Sequence, residues 1–144
     1  MFSGDHVLPV ITPNIGLPPG SEGNPLGDFV ASLKKIRDLP CETVLPAHEA
    51  IFHDLPKRID EILHHHEVRN QEIIAAFKSS PMTAYQLSGH ITWMPSLGGV
   101  KFHSLMPGDK RAAVSETLAH LRAMELGGRV KSSTHDGIIH YEKV

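Results

Sequence analysis

Several features that restrict a protein's fold or its location are missing from this sequence. A single cysteine, Cys41, excludes an internal disulfide framework and is typical of a reducing compartment. No apolar run approaches the roughly 20 residues that a transmembrane helix needs. The first residues have neither the charged region nor the apolar region of a signal peptide. We therefore expect a cytoplasmic protein that does not enter a membrane.

A large excess of charge of either sign is missing as well. The 144 residues carry a formal net charge of −2, which gives no general attraction to nucleic acid or to an anionic membrane. The balance differs along the chain, since residues 1–80 contain 7 basic and 11 acidic side chains and residues 81–144 contain 7 and 5. This split predicts two units of different character. The basic surplus of the second unit is too small to indicate a nucleic-acid-binding face.

The first third of the sequence has the pattern of two strands joined by a long loop and a helix. Residues 1–4 have the character of the end of a buried strand, and residues 5–27 hold five of the 11 prolines and four of the 12 glycines. Residues 42–45 predict a second strand. Asp5 and His48 then each follow the carboxyl end of a strand, which is where ligands usually bind in an α/β sheet.

Helical periodicity and capping residues predict four helices. Asp28 is expected to cap the first, Asp54 or Leu55 begins a long second helix, and Thr83 opens a short third helix to about residue 91 with a capping box. Asp109 is expected to cap the fourth. Apolar residues mark the buried face of the first helix, at Phe29, Leu33 and Ile36.

The end of the chain predicts a β-hairpin. A Gly/Pro-rich loop is expected over residues 94–108, and Gly127 and Gly128 terminate the fourth helix. Strands over residues 129–132 and 138–141 then flank a connection that contains an Asp-Gly pair. Three helices followed by a hairpin is the element order of a winged helix.

Two short motifs around Asp5 and His48 carry a resemblance to a known family. Residues 3–8 (Ser-Gly-Asp-His-Val-Leu) and 44–49 (Val-Leu-Pro-Ala-His-Glu) resemble the last two metal motifs of the metallo-β-lactamase-fold hydrolases. Residues 5–16 resemble a glyoxalase-II-like bacterial branch that carries a C-terminal winged helix.

The resemblance implies a fold and a division into domains. Residues 1–55 would be the C-terminal part of an αββα metallo-β-lactamase domain, an α/β fragment. Residues 56–80 would form a connecting helix. Residues 81–144 would form a mostly helical winged-helix domain.

The same resemblance implies roles for individual residues. Asp5 would bridge two zinc ions and His48 would bind the second, although carboxylate and imidazole also suit iron and manganese. His6 and His53 would support a ligand or contact the substrate. The family's upstream histidine motif has no counterpart here, so about two of seven family ligands are present and no catalytic set is complete.

We therefore expect the C-terminal portion of a longer metal-dependent hydrolase that acts on an ester, thioester, lactone or phosphodiester and is inactive in isolation. Its partners would be a small-molecule substrate, the missing N-terminal half of the hydrolase domain and, in a homodimer, a second copy. Neither nucleic acid nor a membrane is an expected partner.

The alternative is a winged-helix nucleic-acid-binding or regulatory protein with an N-terminal arm. The helix over residues 110–126 would then read DNA, yet its expected outward residues mix both signs of charge: Lys110, Arg111, Ser115, Glu116, Arg122 and Glu125.

The consecutive histidines His64, His65 and His66 point about 100° apart on a helix and cannot bind one ion together. We expect structural or solvated roles for them.

Overall fold

The computed structural model describes residues 1–94 and 98–144. Short strands alternate with helices in the first half, and the second half is mainly helical before a final hairpin. In chain order the elements are β1 (Phe2–Gly4), α1 (Pro25–Ile36), β2 (Leu45–Pro46), α2 (Leu55–Ala76), α3 (Ala84–Ser88), β3 (Thr92–Trp93), β4 (Val100–Lys101), a 3₁₀ helix (Phe102–Ser104), α4 (Pro107–Leu126), β5 (Val130–His135) and β6 (Ile138–Lys143).

Three strand pairs form in the described part of the chain. β1 and β2 are parallel, whereas β3 pairs with β4 and β5 with β6 in antiparallel fashion. The predicted strand over residues 42–45 is displaced toward the C-terminus, because β2 comprises Leu45 and Pro46. Val44 instead forms a single bridge to Phe52. The parallel pair is the element that positions the candidate site.

The starts of α1 and α4 differ from the expected caps by about one turn. In α1 the Asn24 side chain caps the helix by accepting from the Gly27 amide at 3.2 Å, with proline in the first turn. Asp28 lies inside that turn, where its charge favours the helix dipole. α4 has Met106 at its N-cap and no side-chain cap, so Asp109 also lies in the first turn rather than at the cap.

The long helix α2 connects two apolar clusters. It begins at Leu55 with Asp54 as N-cap, as predicted, and the Asp54 carboxylate accepts from the Lys57 amide at 3.1 Å. Its first half buries Ile59 and Ile62, and its second half buries Ile73. A single helix therefore contributes a wall to both clusters.

One cluster surrounds the strand pair and the other the C-terminal elements. The N-terminal cluster contains Val7, Phe29, Leu33, Val44, Leu55, Ile59 and Ile62. The C-terminal cluster includes Ile73, Leu87, Ile91, Trp93, Leu121, Met124, Val130 and Tyr141. Residues 1–4 were expected to end a buried strand, but Phe2 is 87% exposed, and β1 has β2 as its only strand partner among the described residues.

The third helix and the hairpin follow the predicted chemistry with tighter bounds. Thr83 makes both bonds of the capping box with Gln86, but α3 ends at Ser88. β5 and β6 pair up to His135 and Ile138, so the turn consists of Asp136 and Gly137 alone. Both turn residues have positive φ, 50° and 76°, which the twist of a two-residue hairpin turn requires.

The predicted loop over residues 94–108 is partly structured. Residues 95–97 of that prediction lie outside the described residues, while β4, the 3₁₀ helix and the first turn of α4 occupy much of the remainder. Within residues 1–94 and 98–144, each helix is too short or too polar to span a bilayer.

Candidate metal centre

The parallel strand pair brings Asp5 and His48 together. Gly4 is in register with Pro46, and the Ala47 amide donates to the Gly4 carbonyl at 3.0 Å. Asp5 directly follows Gly4, and His48 comes two residues after Pro46. As a result the Asp5 Oδ1 and His48 Nε2 atoms are 3.3 Å apart.

A turn at Gly4 directs the chain after β1. Gly4 has a φ of 56°, a backbone conformation that glycine adopts without a Cβ penalty. The His6 amide then donates to the Ser3 carbonyl at 3.0 Å, and the Ser3 hydroxyl donates to the Val7 carbonyl at 2.9 Å. This turn leaves the Asp5 carboxylate exposed at the end of the strand.

A second contact joins the two loops that carry the pair. The Glu49 carboxylate accepts a hydrogen bond of 3.0 Å from the Val10 amide. Glu49 has a φ of 69°, so this reach depends on an unusual backbone conformation for a non-glycine residue. The Asp5 and His48 side chains remain 64% and 69% exposed. The loops that carry the pair are therefore held together, whereas the two side chains are open to solvent.

The pair fits part of a metal donor set. Two atoms that bind one zinc ion at about 2.0–2.2 Å in tetrahedral geometry lie about 3.3 Å apart, which matches the observed separation. A catalytic zinc needs three protein ligands. Within residues 1–94 and 98–144, no three His, Cys, Asp or Glu side chains form a group that could hold a metal. The donor chemistry of the pair fits a zinc ion, but the number of donors does not.

The other two candidate histidines have contacts of their own. The His6 Nε2 atom lies 3.0 Å from the Ser32 hydroxyl, and its ring packs edge-on against Phe29 at 5.0 Å. Burial lowers the pKa of His6 below its usual value. His53 Nδ1 lies 2.6 Å from the Glu42 carbonyl. Neither ring has a described hydrogen bond to Asp5 or His48.

The three consecutive histidines have three different environments, in agreement with their angular spacing. His64 is exposed, His65 Nε2 lies 3.4 Å from the Thr12 hydroxyl, and His66 is buried. The His66 Nδ1 atom lies 3.4 Å from Nε2 of His120, which is fully buried. The sequence around His120 does not indicate this pair.

Burial dominates the electrostatics of this histidine cluster. Desolvation, with a smaller contribution from the Arg69 charge, lowers the pKa of His65 to about 4. Desolvation followed by the charges of His65 and Arg69 lowers the pKa of His66 to about 4. The pKa of His120 lies well below its usual value, mainly because of burial.

Glu116 does not project outward as the sequence suggested. Its side chain is 12% exposed, accepts from Asn14 Nδ2 at 2.8 Å and lies 3.5 Å from the buried guanidinium of Arg69. Burial raises the pKa of this carboxyl group. Arg69 lies on the buried face of α2 between His66 and Ile73, so its position on the helix predicts that it is buried.

The chain has sequence relatives among lactamase-like proteins. No family model matches the chain. The lactamase-like protein adaB of Aspergillus niger is 36% identical over 80 residues, which are 56% of this chain and 23% of that protein. The lactamase-like protein vrtG of Penicillium aethiopicum is 41% identical over 54 residues, which are 38% of this chain and 18% of that protein.

Solved structures match almost the whole chain. A beta-lactamase domain protein from Burkholderia ambifaria superposes with a TM-score of 0.84 and 29% sequence identity, covering 99% of this chain and 41% of that chain. The chain is similar to metallo-β-lactamase-fold proteins. A metallo-beta-lactamase family protein from Thermus thermophilus gives a TM-score of 0.79 with the same identity and coverage.

This similarity confirms the general form of the predicted resemblance, a chain of mixed α and β content related to the metallo-β-lactamases. The aligned part of the chain covers about a fifth of the length of the two curated relatives, and nearly the whole chain covers about two fifths of each solved structure.

Proposed function

We propose that this chain supplies part of the metal site of a metal-dependent hydrolase and corresponds to the C-terminal portion of its relatives. Residues 1–55 would belong to the hydrolase domain and residues 56–80 to a connecting helix. Residues 81–144 would form a winged helix that packs on the hydrolase domain. The observation that carries the proposal is the 3.3 Å approach of Asp5 and His48 at the ends of two parallel strands.

The names of the relatives and their greater length support this proposal. The aligned 80 and 54 residues are 23% and 18% of these lactamase-like proteins, which are therefore about twice as long as this chain and have room for the donors that it lacks. Asp5 and His48 would hold zinc, iron or manganese, since carboxylate and imidazole suit all three. Such a metal lowers the pKa of a coordinated water to about 7 and polarises a carbonyl or phosphoryl oxygen. The substrate would be an ester, thioester, lactone or phosphodiester.

The residues around Asp5 and His48 would position these two donors. The hydrogen bond from Val10 to Glu49 and the pairing of Ala47 with Gly4 would hold the backbones of the two donor residues close together before any ion binds. Preorganised donors lose less conformational freedom on binding, which favours affinity.

The charges of the hairpin favour this function over nucleic-acid binding. Arg129 lies 3.5 Å from Glu67, and Lys131 lies 3.3 Å from Glu142 across the strands. These carboxylates reduce the positive potential that phosphate contacts need. We therefore propose no nucleic-acid partner for this part of the chain.

Zinc retention and thioester hydrolysis test the proposal. The 144-residue chain alone should retain less than one zinc after dialysis and hydrolyse nothing. A longer protein that also contains the remaining donors should retain zinc and turn over substrate. Asp5→Asn and His48→Ala should each lower both quantities there, whereas His64→Ala, at an exposed histidine of α2, should leave them unchanged.

Two results would contradict the proposal. Stoichiometric zinc with turnover in the 144-residue chain would mean that it holds a complete site. Unchanged zinc content in both the Asp5→Asn and the His48→Ala longer proteins would remove the pair from the metal site.

A further inference from the structure

A cavity of about 450 Å³ lies between the 10–14 loop, α2, β3 and α4. Its volume falls in the range of about 300–1,000 Å³ that is typical of small-molecule pockets. Neither Asp5 nor His48 lines it.

One wall of the cavity is apolar and rigid. It includes Trp93, Leu105 and Ala113, all of which are buried in the fold. The Trp93 indole donates to the Ser88 carbonyl at 3.0 Å, and the guanidinium carbon of Arg69 lies 4.4 Å from the indole ring centroid. Trp93 is itself 5% exposed, so the apolar surface that a ligand can reach is that of the more exposed lining residues Val10, Ile11 and Met94.

Arg58, the first of the two arginines in the lining, already has hydrogen-bond partners within the chain. Arg58 is 11% exposed and donates to the carbonyls of Leu8, Val10 and Ile11 at 2.6, 3.0 and 3.0 Å. Its remaining guanidinium nitrogen lies 3.0 Å from the Glu61 carboxylate. This side chain holds the 10–14 loop in place and offers little positive charge to a ligand.

Arg69, the second arginine in the lining, also has partners within the chain. Arg69 is 4% exposed and pairs with Glu72 at 3.2 Å and Glu116 at 3.5 Å. It also donates to the Thr92 carbonyl at 3.3 Å. Both arginines of the cavity therefore have carboxylate and carbonyl partners of their own.

The acidic groups of the lining outnumber the basic ones. Glu61, Glu116 and Asp109 face two arginines. Asp109 is exposed in the first turn of α4, and it has no ion pair with any residue of the described ranges. Unpaired carboxylate oxygens accept hydrogen bonds and attract cations, and they repel carboxylates and phosphates.

We propose that this cavity binds a small amphiphile whose apolar body packs against Val10, Ile11 and Met94 and whose ammonium group lies near Asp109. Anionic ligands of the same size bind more weakly. The site requires no metal, so it stands or fails independently of the proposed hydrolase activity.

Trp93 makes the proposal directly measurable, because it is the only tryptophan of the sequence. The probes are hexylammonium, hexanamide and hexanoate, which share a six-carbon skeleton and differ in charge. Hexylammonium should change the tryptophan fluorescence saturably with a Kd of about 1 mM, the affinity that burial of a short alkyl chain provides. Hexanoate should bind about tenfold more weakly, with hexanamide in between.

Substitutions locate the site and its charge preference. Ala112→Phe, at an exposed position of the lining, should weaken all three probes, whereas Ala31→Phe, at an exposed position of α1 outside the lining, should not. Asp109→Asn should reduce the difference between hexylammonium and hexanoate. Hexanoate binding as tight as that of hexylammonium, or no saturable change with any probe, would overturn the proposal. Asp109→Asn tests it even where Ala112→Phe fails to fold.

Discussion

Replacing His66 by phenylalanine should flatten the pH dependence of stability on the acid side of neutrality. The reason lies in the hydrogen-bond directions of the buried histidine pair. His120 Nδ1 lies 2.8 Å from Asn70 Oδ1, which only accepts, so His120 carries its proton on Nδ1. Its Nε2 then accepts from His66 Nδ1 across 3.4 Å. His66 Nε2 is consequently an unprotonated, buried atom with no described hydrogen-bond partner.

Protonation of this pair is unfavourable at either ring. A proton on His66 Nε2 would be a buried donor without an acceptor, and a proton on His120 Nε2 would oppose the N–H group of His66. The nearby charges of His65 and Arg69 add to the effect of burial, and together they lower the pKa of His66 to about 4. The pKa of His120 is lowered by burial and by His66, Arg69 and His65.

The sign and size of the effect follow from linkage. An unfolded histidine binds its proton near pH 6.5, and folded His66 binds one near pH 4. Between these values the unfolded state holds more protons, so stability falls as the pH is lowered. At about 1.4 kcal/mol per pKa unit, His66 accounts for a loss of up to about 3 kcal/mol across this window. His66→Phe removes that loss and keeps the edge-on contact with Phe29, whose ring centroid lies 5.6 Å away.

Urea unfolding measured at several values from about pH 7 to about pH 4.5 tests this reasoning. The variant should lose about 1 kcal/mol at neutral pH with the His66–His120 hydrogen bond. It should then lose less stability than the unaltered chain as the pH falls. His64→Gln changes an exposed histidine of the same helix and serves as the control. Equal pH slopes for His66→Phe and the unaltered chain would refute the assignment.

Two further substitutions test other parts of the fold. Arg69→Met removes the cation above Trp93 and leaves the buried Glu116 carboxylate without its ion pair, so unfolding in urea should show a loss of about 3 kcal/mol. A loss below about 1 kcal/mol would mean that Glu116 does not depend on this arginine. Thr83→Ala removes the capping box of α3 and should cost about 1 kcal/mol, against no change for Ser80→Ala at an exposed position nearby. Equal effects of these last two would show that the cap does not stabilise the helix.

Local rules predicted the features that depend on neighbouring residues. The start of α2 follows from Asp54 and the proline after Leu55, and the cap of α3 follows from Thr83 and Gln86. The approach of Asp5 and His48 could be predicted as well, because carboxyl ends of paired parallel strands share one edge.

The prolines of the sequence predict the starts of α1 and α4 better than the aspartates do. α1 and α4 both have proline in the first turn, as α2 does, and Asp28 and Asp109 lie within that same turn, after the proline. Proline at the first helical position outweighs an aspartate inside the first turn, because it fixes φ and its missing N–H is not needed there.

The burial of Arg69 and the His66–His120 pair depend on distant parts of the chain. Arg69 meets Glu116 across 47 positions of sequence, and His66 meets His120 across 54. No local pattern specifies such contacts. The position of Arg69 on the apolar stripe of α2 indicates only that something must neutralise it.

The parallel pairing of β1 with β2 has a consequence for the order of folding. The Met1 amino group donates to the Thr43 carbonyl at 2.7 Å, and the Leu45 amide donates to the Met1 carbonyl at 2.8 Å. Each contact closes a loop of more than forty residues, whereas the turns of α1 between them close within four. Loop-closure entropy must be overcome before such distant pairs are stabilised, so local structure forms earlier. We therefore expect Asp5 and His48 to meet late in folding, after α1 has formed and shortened the distance that the chain must close.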